Sequence, residues 1–321
     1  MSSITKANKP VNIFTRILNI NTSGEKGGRR LTLGNQLVLQ LISLAIAVSV
    51  LFPIMYIVTL AFSSSPSRPS QLQLLPTEFS LVAFQQVLDK PTANPVTFLE
   101  LLRNSLALSL GVAMFAVVIA VTAAYAFARF KFKGRQFLMV SVLFVILMPG
   151  VGLATPLFLL MNGIRVSDEA GKVIFNLRDS LLGVGIAISA GALPFAIWNL
   201  KGYMDTIPKE LEEAARIDGA TINQTFVRIM LPLAMPALAV TFFLSFMGNW
   251  QEFVLSWLFL NKPQDYTLAM TLYNMTGQYA TQVPWNRFAA MVIIIALPVA
   301  LVYMVLQKQI VGGLTLGGVK G

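Results

Sequence analysis

The sequence predicts an all-α integral membrane protein: six transmembrane helices, with a helix-turn-helix loop between the fourth and the fifth. Three observations predict it. First, 55% of the 321 residues are hydrophobic and only 12% are charged, with a mean hydropathy of +0.69; soluble chains have about 45–50% apolar and about 25% charged residues. Second, six apolar runs approach the roughly 20 residues that a helix needs to cross the hydrocarbon. Third, the stretch from Glu210 to Pro232 is charged and helix-prone, yet it lies between two long apolar runs.

The runs are taken in order. They cover about 36–62, 104–128, 137–161, 180–200, 232–260 and 288–307, each near the length of a span. Residues 1–35 form a basic N-terminal segment without the apolar core of a signal peptide, so the first span is expected to be retained. The six-span domain is read as 36–309, with the loop 201–231 inside it and a tail at 310–321. With the N-terminus inside, sixteen Lys and Arg fall on the inner side and eight on the outer side. That bias predicts cytoplasmic termini and a cytoplasmic position for 210–232. Pro53, Pro149, Pro156, Pro194, Pro236 and Pro298 fall within spans, where prolines either kink a helix or are simply tolerated.

Composition also excludes chemistry. The chain has no histidine and no cysteine, which removes histidine metal sites, Ser-His triads and thiol nucleophiles. Gly171-Lys172 is followed by Val173 and preceded at the first glycine position by Val166, so it fails as a phosphate-binding loop. No catalytic residue, metal site or bound cofactor is expected. The net charge of +10 fits basic loops facing anionic lipid better than nucleic acid.

The stretch 210–232 reads as two short helices around a glycine. Glu210, Glu212 and Glu213 suit the positive end of a helix dipole. Leu211, Ala214 and Ala215 are expected to make one narrow apolar face. Gly219 suits the position just past the helix end, and Thr221 with Gln224 forms a capping-box pattern opening the next helix. An acidic, alanine-bearing helix fits docking to a protein better than lying on lipid, where Lys/Arg and bulky apolar faces prevail.

Two other segments stand out. Asn249, Trp250, Gln251 and Glu252 are candidates for a substrate path, because an acidic residue inside a span is a functional hypothesis by default; the alternative is a polar brace between helices. The outer loop 261–287 carries Tyr266, Tyr273, Tyr279 and Trp285, suited either to a partner contact or to an interfacial aromatic belt.

The stretch at 210–232 also resembles a family signature. Glu213-Ala214-Ala215, then Gly219, then Ile229-Met230-Leu231-Pro232 match at every fixed position the E-A-A…G…I-x-L-P loop of ABC importer permeases. "AYAFARFKFKGR" at 124–135, "LPLAMPALAV" at 231–240 and "GLTLGGVKG" at 313–321 are similar to the carbohydrate branch, in particular to the smaller permease subunit of maltose/maltodextrin-type importers. The resemblance implies the ABC type I importer permease fold in a bacterial or archaeal cytoplasmic membrane. It implies a related, larger permease subunit as partner, two copies of a cytoplasmic ATPase that hold the ATP and Mg, and an extracytoplasmic sugar-binding protein. It assigns ATPase coupling to Glu213, Ala214, Ala215, Gly219, Ile229, Leu231 and Pro232, and a tail contact with the ATPase to Gly317, Gly318 and Lys320. The loop bearing Tyr266, Tyr273, Tyr279 and Trp285 is expected to meet the binding protein. The imported sugar is expected to be maltose, maltodextrin or a related oligosaccharide.

A magnitude sharpens one expectation. An exposed ion pair contributes about 0–1 kcal/mol, whereas breaking a buried one costs roughly 3–5 kcal/mol. Glu213 is therefore expected to be buried against a basic ATPase residue on docking. The competing reading is an ion-coupled secondary transporter, which needs intramembrane ionisable residues and usually an inverted repeat; only Glu252 is a candidate, and no repeat is evident.

Overall fold

A computed structural model of the chain describes residues 33–69, 71–76, 78–277 and 283–318. The expectations for residues 1–32, Tyr279 and Lys320 lie outside the described residues. Helix α1 (Leu33–Ala61) is apolar on all sides, the pattern of a helix with no single core-facing stripe. The chain forms two units, one ending at Ile54 and one beginning at Met55. In the first, Leu41, Leu44 and Ile46 on α1 are exposed.

The second unit is built around α3 (Phe98–Arg129), after a short α2 (Val82–Asp89). A capping box starts α3: Thr97 Oγ1 accepts from the Glu100 N–H at 3.4 Å, and a Glu100 carboxylate oxygen accepts from the Thr97 N–H at 2.8 Å. The helix is about 48 Å long at 1.5 Å per residue. Ala113, Ala116, Ala120, Ala124 and Ala128 are all buried along it. This stripe of small side chains lets neighbouring backbones approach closely. Two neighbours use it: α6 (Leu181–Met204) and the long helix beginning at Ile222. At the Arg129 end, Ala120, Ala124 and Ala128 share one core with Ala196 and Leu200 of α6 and with Ala234 and Ala237. At the Phe98 end, two further cores form around Leu101 with Phe246 and Met291, and around Leu108 with Val184 and Phe259.

Two expected spans are broken. The run 137–161 folds as α4 (Arg135–Leu147) and α5 (Gly150–Gly163), bent by 103°. The cause is Pro149, which drives the residue before it into extended conformation; Met148 has ψ 134°. The run 232–260 ends as a helix at Trp250 and resumes as a separate α10 (Val254–Phe259). Among the described residues, five helices are long and apolar enough to cross a membrane, or six if the bent pair counts as one span. The last is α12 (Trp285–Gly318), which starts within the aromatic loop. Pro53, Pro156, Pro194, Pro236 and Pro298 lie inside helices.

The connection at 162–179 holds a small antiparallel hairpin, β1 (Arg165–Ser167) with β2 (Val173–Asn176). It turns at Gly171, which has φ +80°. The loop 261–287 contains α11 (Leu268–Asn274), capped by Thr267.

Candidate coupling surface

Helix α7 (Glu210–Ile217) follows Pro208 and begins on the Lys209 carbonyl, which accepts from the Glu212 and Glu213 N–H groups at 3.0 Å each. It ends in a Schellman motif. The Ala220 N–H reaches the Ala215 carbonyl at 2.9 Å, the Gly219 N–H reaches Arg216 at 3.1 Å, and Gly219 takes φ +84°. That left-handed conformation costs roughly 1–2 kcal/mol for a residue with a Cβ. A Cβ at Gly219 would meet open space, so backbone conformation alone makes glycine the suitable residue there.

The expected second helix does form. Thr221 and Gln224 make the reciprocal capping box at 3.3 and 2.8 Å, opening α8 (Ile222–Thr225). It is not a separate helix, however. A π-helical turn, Phe226–Met230, joins it to α9 (Leu231–Trp250), so helix runs unbroken from Ile222 to Trp250. The reason is Pro232. Inside an α-helix it would lack one hydrogen bond and clash with the carbonyl four residues back, that of Arg228. The wider π turn just before it, closed by the Leu231 N–H on the Phe226 carbonyl, relieves that crowding. Ile229 and Leu231 are half-buried and Pro232 is exposed.

The two faces of α7 differ from the expected division. Leu211 and Ala214 are exposed, and Ala215 is buried beside Glu212. Residues three apart share a helix face, and here the inward pair is 212 with 215. Outward stand Glu213, Ala214 and Ile217, the last 86% exposed.

Glu212 is buried in a polar cluster. Arg129, the last residue of α3, donates from Nε to Glu212 Oε1 and from Nη2 to the Ile207 carbonyl at 2.9 Å. Tyr125, one turn earlier on α3, donates its hydroxyl to the other carboxylate oxygen at 3.1 Å. Both charged side chains are under 5% exposed. Tyr125 also packs on Phe226 of the π turn, with ring centroids 4.8 Å apart. Breaking a buried ion pair by removing one partner costs roughly 3–5 kcal/mol. The polar cluster ties α7 directly to α3.

The expectations for a substrate path are dispersed. Asn249 and Trp250 point into the core, where Asn249 Nδ2 and Trp250 Nε1 have no hydrogen-bond partner among the described residues. Gln251 is exposed and lines a hollow of about 340 Å³ with Trp250, Phe253 and Tyr273. Glu252 does not stand within a continuous span. Its carboxylate caps α10, accepting from the Leu255 N–H at 2.6 Å, the Ser256 N–H at 3.2 Å and the Ser256 hydroxyl at 2.8 Å.

The aromatic loop is partly held by its own fold. Tyr266 is half-buried against two of the cores. The Trp285 ring contacts Phe288 and lies beneath the Arg68 guanidinium at 6.0 Å, and the Trp285 backbone N–H donates to the Pro66 carbonyl at 2.8 Å. Tyr273 stacks on Phe253 yet remains 48% exposed. Beside this loop, Asp265 has its carboxyl held above the ordinary aspartate range by burial, with the nearby Asp179 charge adding to the rise and Lys262 opposing it. Gly317 and Gly318 form the end of α12.

A membrane helix bundle that turns a glycine-hinged polar helix outward, locked from beneath, has the form of an importer permease. The family model described as "Binding-protein-dependent transport system inner membrane component" matches residues 98–315. The maltose/maltodextrin transport system permease protein MalG of Vibrio vulnificus is 34% identical over 280 residues, 85% of this chain and 91% of that protein. The galactooligosaccharides transport system permease protein GanQ of Bacillus subtilis is 36% identical over 218 residues, 68% of this chain and 73% of that protein. A solved bacterial ABC transporter, involved in import of the acidic polysaccharide alginate, has a chain of the same fold: TM-score 0.69, 23% identity, covering 88% of this chain and 99% of that one. The chain belongs to the family of binding-protein-dependent transport system inner membrane components, the multi-pass permeases of ABC importers.

Proposed function

We propose that this chain is one of two permease subunits of an importer that moves an oligosaccharide of the maltose or maltodextrin class into the cytoplasm, driven by ATP that separate subunits hydrolyse. The observation that carries the coupling is the outward face of α7. Glu213, Ala214 and Ile217 are exposed together on a helix whose other side is locked to the bundle. The Glu213 side chain makes no hydrogen bond or ion pair among the described residues, which leaves its carboxylate free for a basic residue of the ATPase. Two ATPase copies would serve the pair of permease subunits, one on each coupling helix, and hold the ATP and Mg.

The charge bias supports cytoplasmic termini and a cytoplasmic α7. The tail at Gly317, Gly318 and Lys320 is assigned a second ATPase contact. Among the described aromatic residues of the loop 261–287, Tyr273 is the most exposed and is the one offered to an extracytoplasmic sugar-binding protein, with Tyr266 and Trp285 holding the loop's shape. The sugar class rests on the names of MalG and GanQ.

The test is uptake in vesicles holding the complete transporter and its binding protein, against a panel of sugars. ATP-dependent uptake of an oligosaccharide that survives collapse of the proton gradient is expected. Uptake that persists without ATP and collapses with the gradient would establish a secondary carrier instead.

A further inference from the structure

Helix α3 packs on its neighbours at the Arg129 end partly through small side chains. Ala120, Ala124 and Ala128 share a core with Ala196, Ala234 and Ala237, and small side chains of this kind let the backbones come close. Helix α6 is joined to α7 through residues 205–209, and α8 through the Gly219 turn, so both follow α7 by covalent connection. Helix α3 has no such link; Arg129 precedes Ile207 by 78 residues and Glu212 by 83. What joins α3 to α7 is the cluster of Tyr125, Arg129 and Glu212.

The geometry suits that task. One guanidinium holds both sides of the Pro208–Lys209 turn, through the Ile207 carbonyl and the Glu212 carboxylate. The Tyr125 hydroxyl takes the remaining carboxylate oxygen from one turn further along α3. Helix α7 is thereby gripped at its first turn by two points on α3, which restrains both sliding and rotation.

We infer that Tyr125, Arg129 and Glu212 are positioning residues of the transport cycle: they lock α3 to α7, so that a displacement imposed on α7 carries α3 with it. The inference rests on the importer reading, with α7 as the ATPase dock. Glu213 and Glu212 then divide the work between neighbouring positions, one gripping outward and one inward.

This chain has no cysteine, so introduced thiols label it at chosen positions in the full transporter, assembled with cysteine-free partner subunits. Spin labels are placed at Lys133→Cys, just past α3, and Lys209→Cys, at the start of α7; both residues are exposed. Their separation is measured without nucleotide and with ATP trapped. The lock predicts a shift of no more than about 2 Å, the scale of ordinary helix adjustment. A change of about 5 Å, one helical turn, overturns it. In the same background, Arg129→Met is expected to broaden the distance distribution and to lower sugar imported per ATP hydrolysed by about tenfold, with the ATPase still bound. Arg129→Lys, which can meet Glu212 but cannot span to Ile207 as well, should fall between. An assembled Arg129→Met transporter with unchanged sugar per ATP rejects the lock; if that variant does not assemble, the unmutated label pair decides alone. Uptake by the unmutated transporter that needs no ATP rejects the importer reading, and the lock falls with it.

Discussion

Glu212 and Glu252 are both carboxylates in a strongly apolar chain, and both have their oxygens occupied, but for different ends. Glu252 bonds to residues three and four positions ahead and holds the start of α10. Glu212 bonds to residues more than 80 positions away and ties two distant parts of the chain together. Between them in character stands Glu213, adjacent to Glu212 and exposed. The comparison teaches that a carboxylate in a membrane protein is not informative by its presence alone. What counts is whether its lone pairs are spent locally, spent across the fold, or left for another molecule.

The largest expected effect separates local from long-range use. Glu212→Leu alone should destabilise the chain by about 3–5 kcal/mol, because it leaves Arg129 buried and unpaired. Pairing it with Arg129→Met should recover most of that loss. The yield and thermal midpoint of the purified complex check both, and an undiminished single variant would break the comparison. Glu252→Ala should cost about 1 kcal/mol, the usual value of an N-cap, and leave the KM for sugar unchanged; a large rise in KM would return Glu252 to the substrate path.

Gly219→Val tests the turn between the two faces. With open space around it, the expected loss is about 1–2 kcal/mol of local stability from the left-handed backbone, read as weaker retention of the ATPase. The smallest effect concerns the outer loop. Since the folded state raises the Asp265 pKa, the associated stability is fully present below the ordinary value of 3.8 and is lost as pH rises through the higher folded-state value. Asp265→Asn should remove that pH dependence from the thermal midpoint and raise the midpoint slightly at neutral pH.

Much of this was legible in the sequence for physical reasons. Apolar length marks a span, and the caps at Thr221 and Gly219 are local chemistry readable over four or five residues. The break at Met148–Pro149 was legible in principle, since proline acts on its own neighbour, but the apolar run on both sides masked it. The continuity of α8 with α9 was not, because a π turn that accommodates Pro232 leaves no compositional mark. Nor was the inward choice of Glu212. Three glutamates lie in the first turn of α7, and only the position of Arg129, far away in sequence, decides which is buried. The partner of that arginine depends on how three helices pack, which no local periodicity encodes.

The most direct test of the coupling account is made on Glu213→Ala. The variant should insert in the membrane in normal amount, because its side chain makes no contact that the fold requires among the described residues. Retention of the ATPase on the purified permease and ATP-driven sugar uptake are then measured together. The account predicts that both fall while the permease remains intact. Full ATPase retention with full uptake would contradict it.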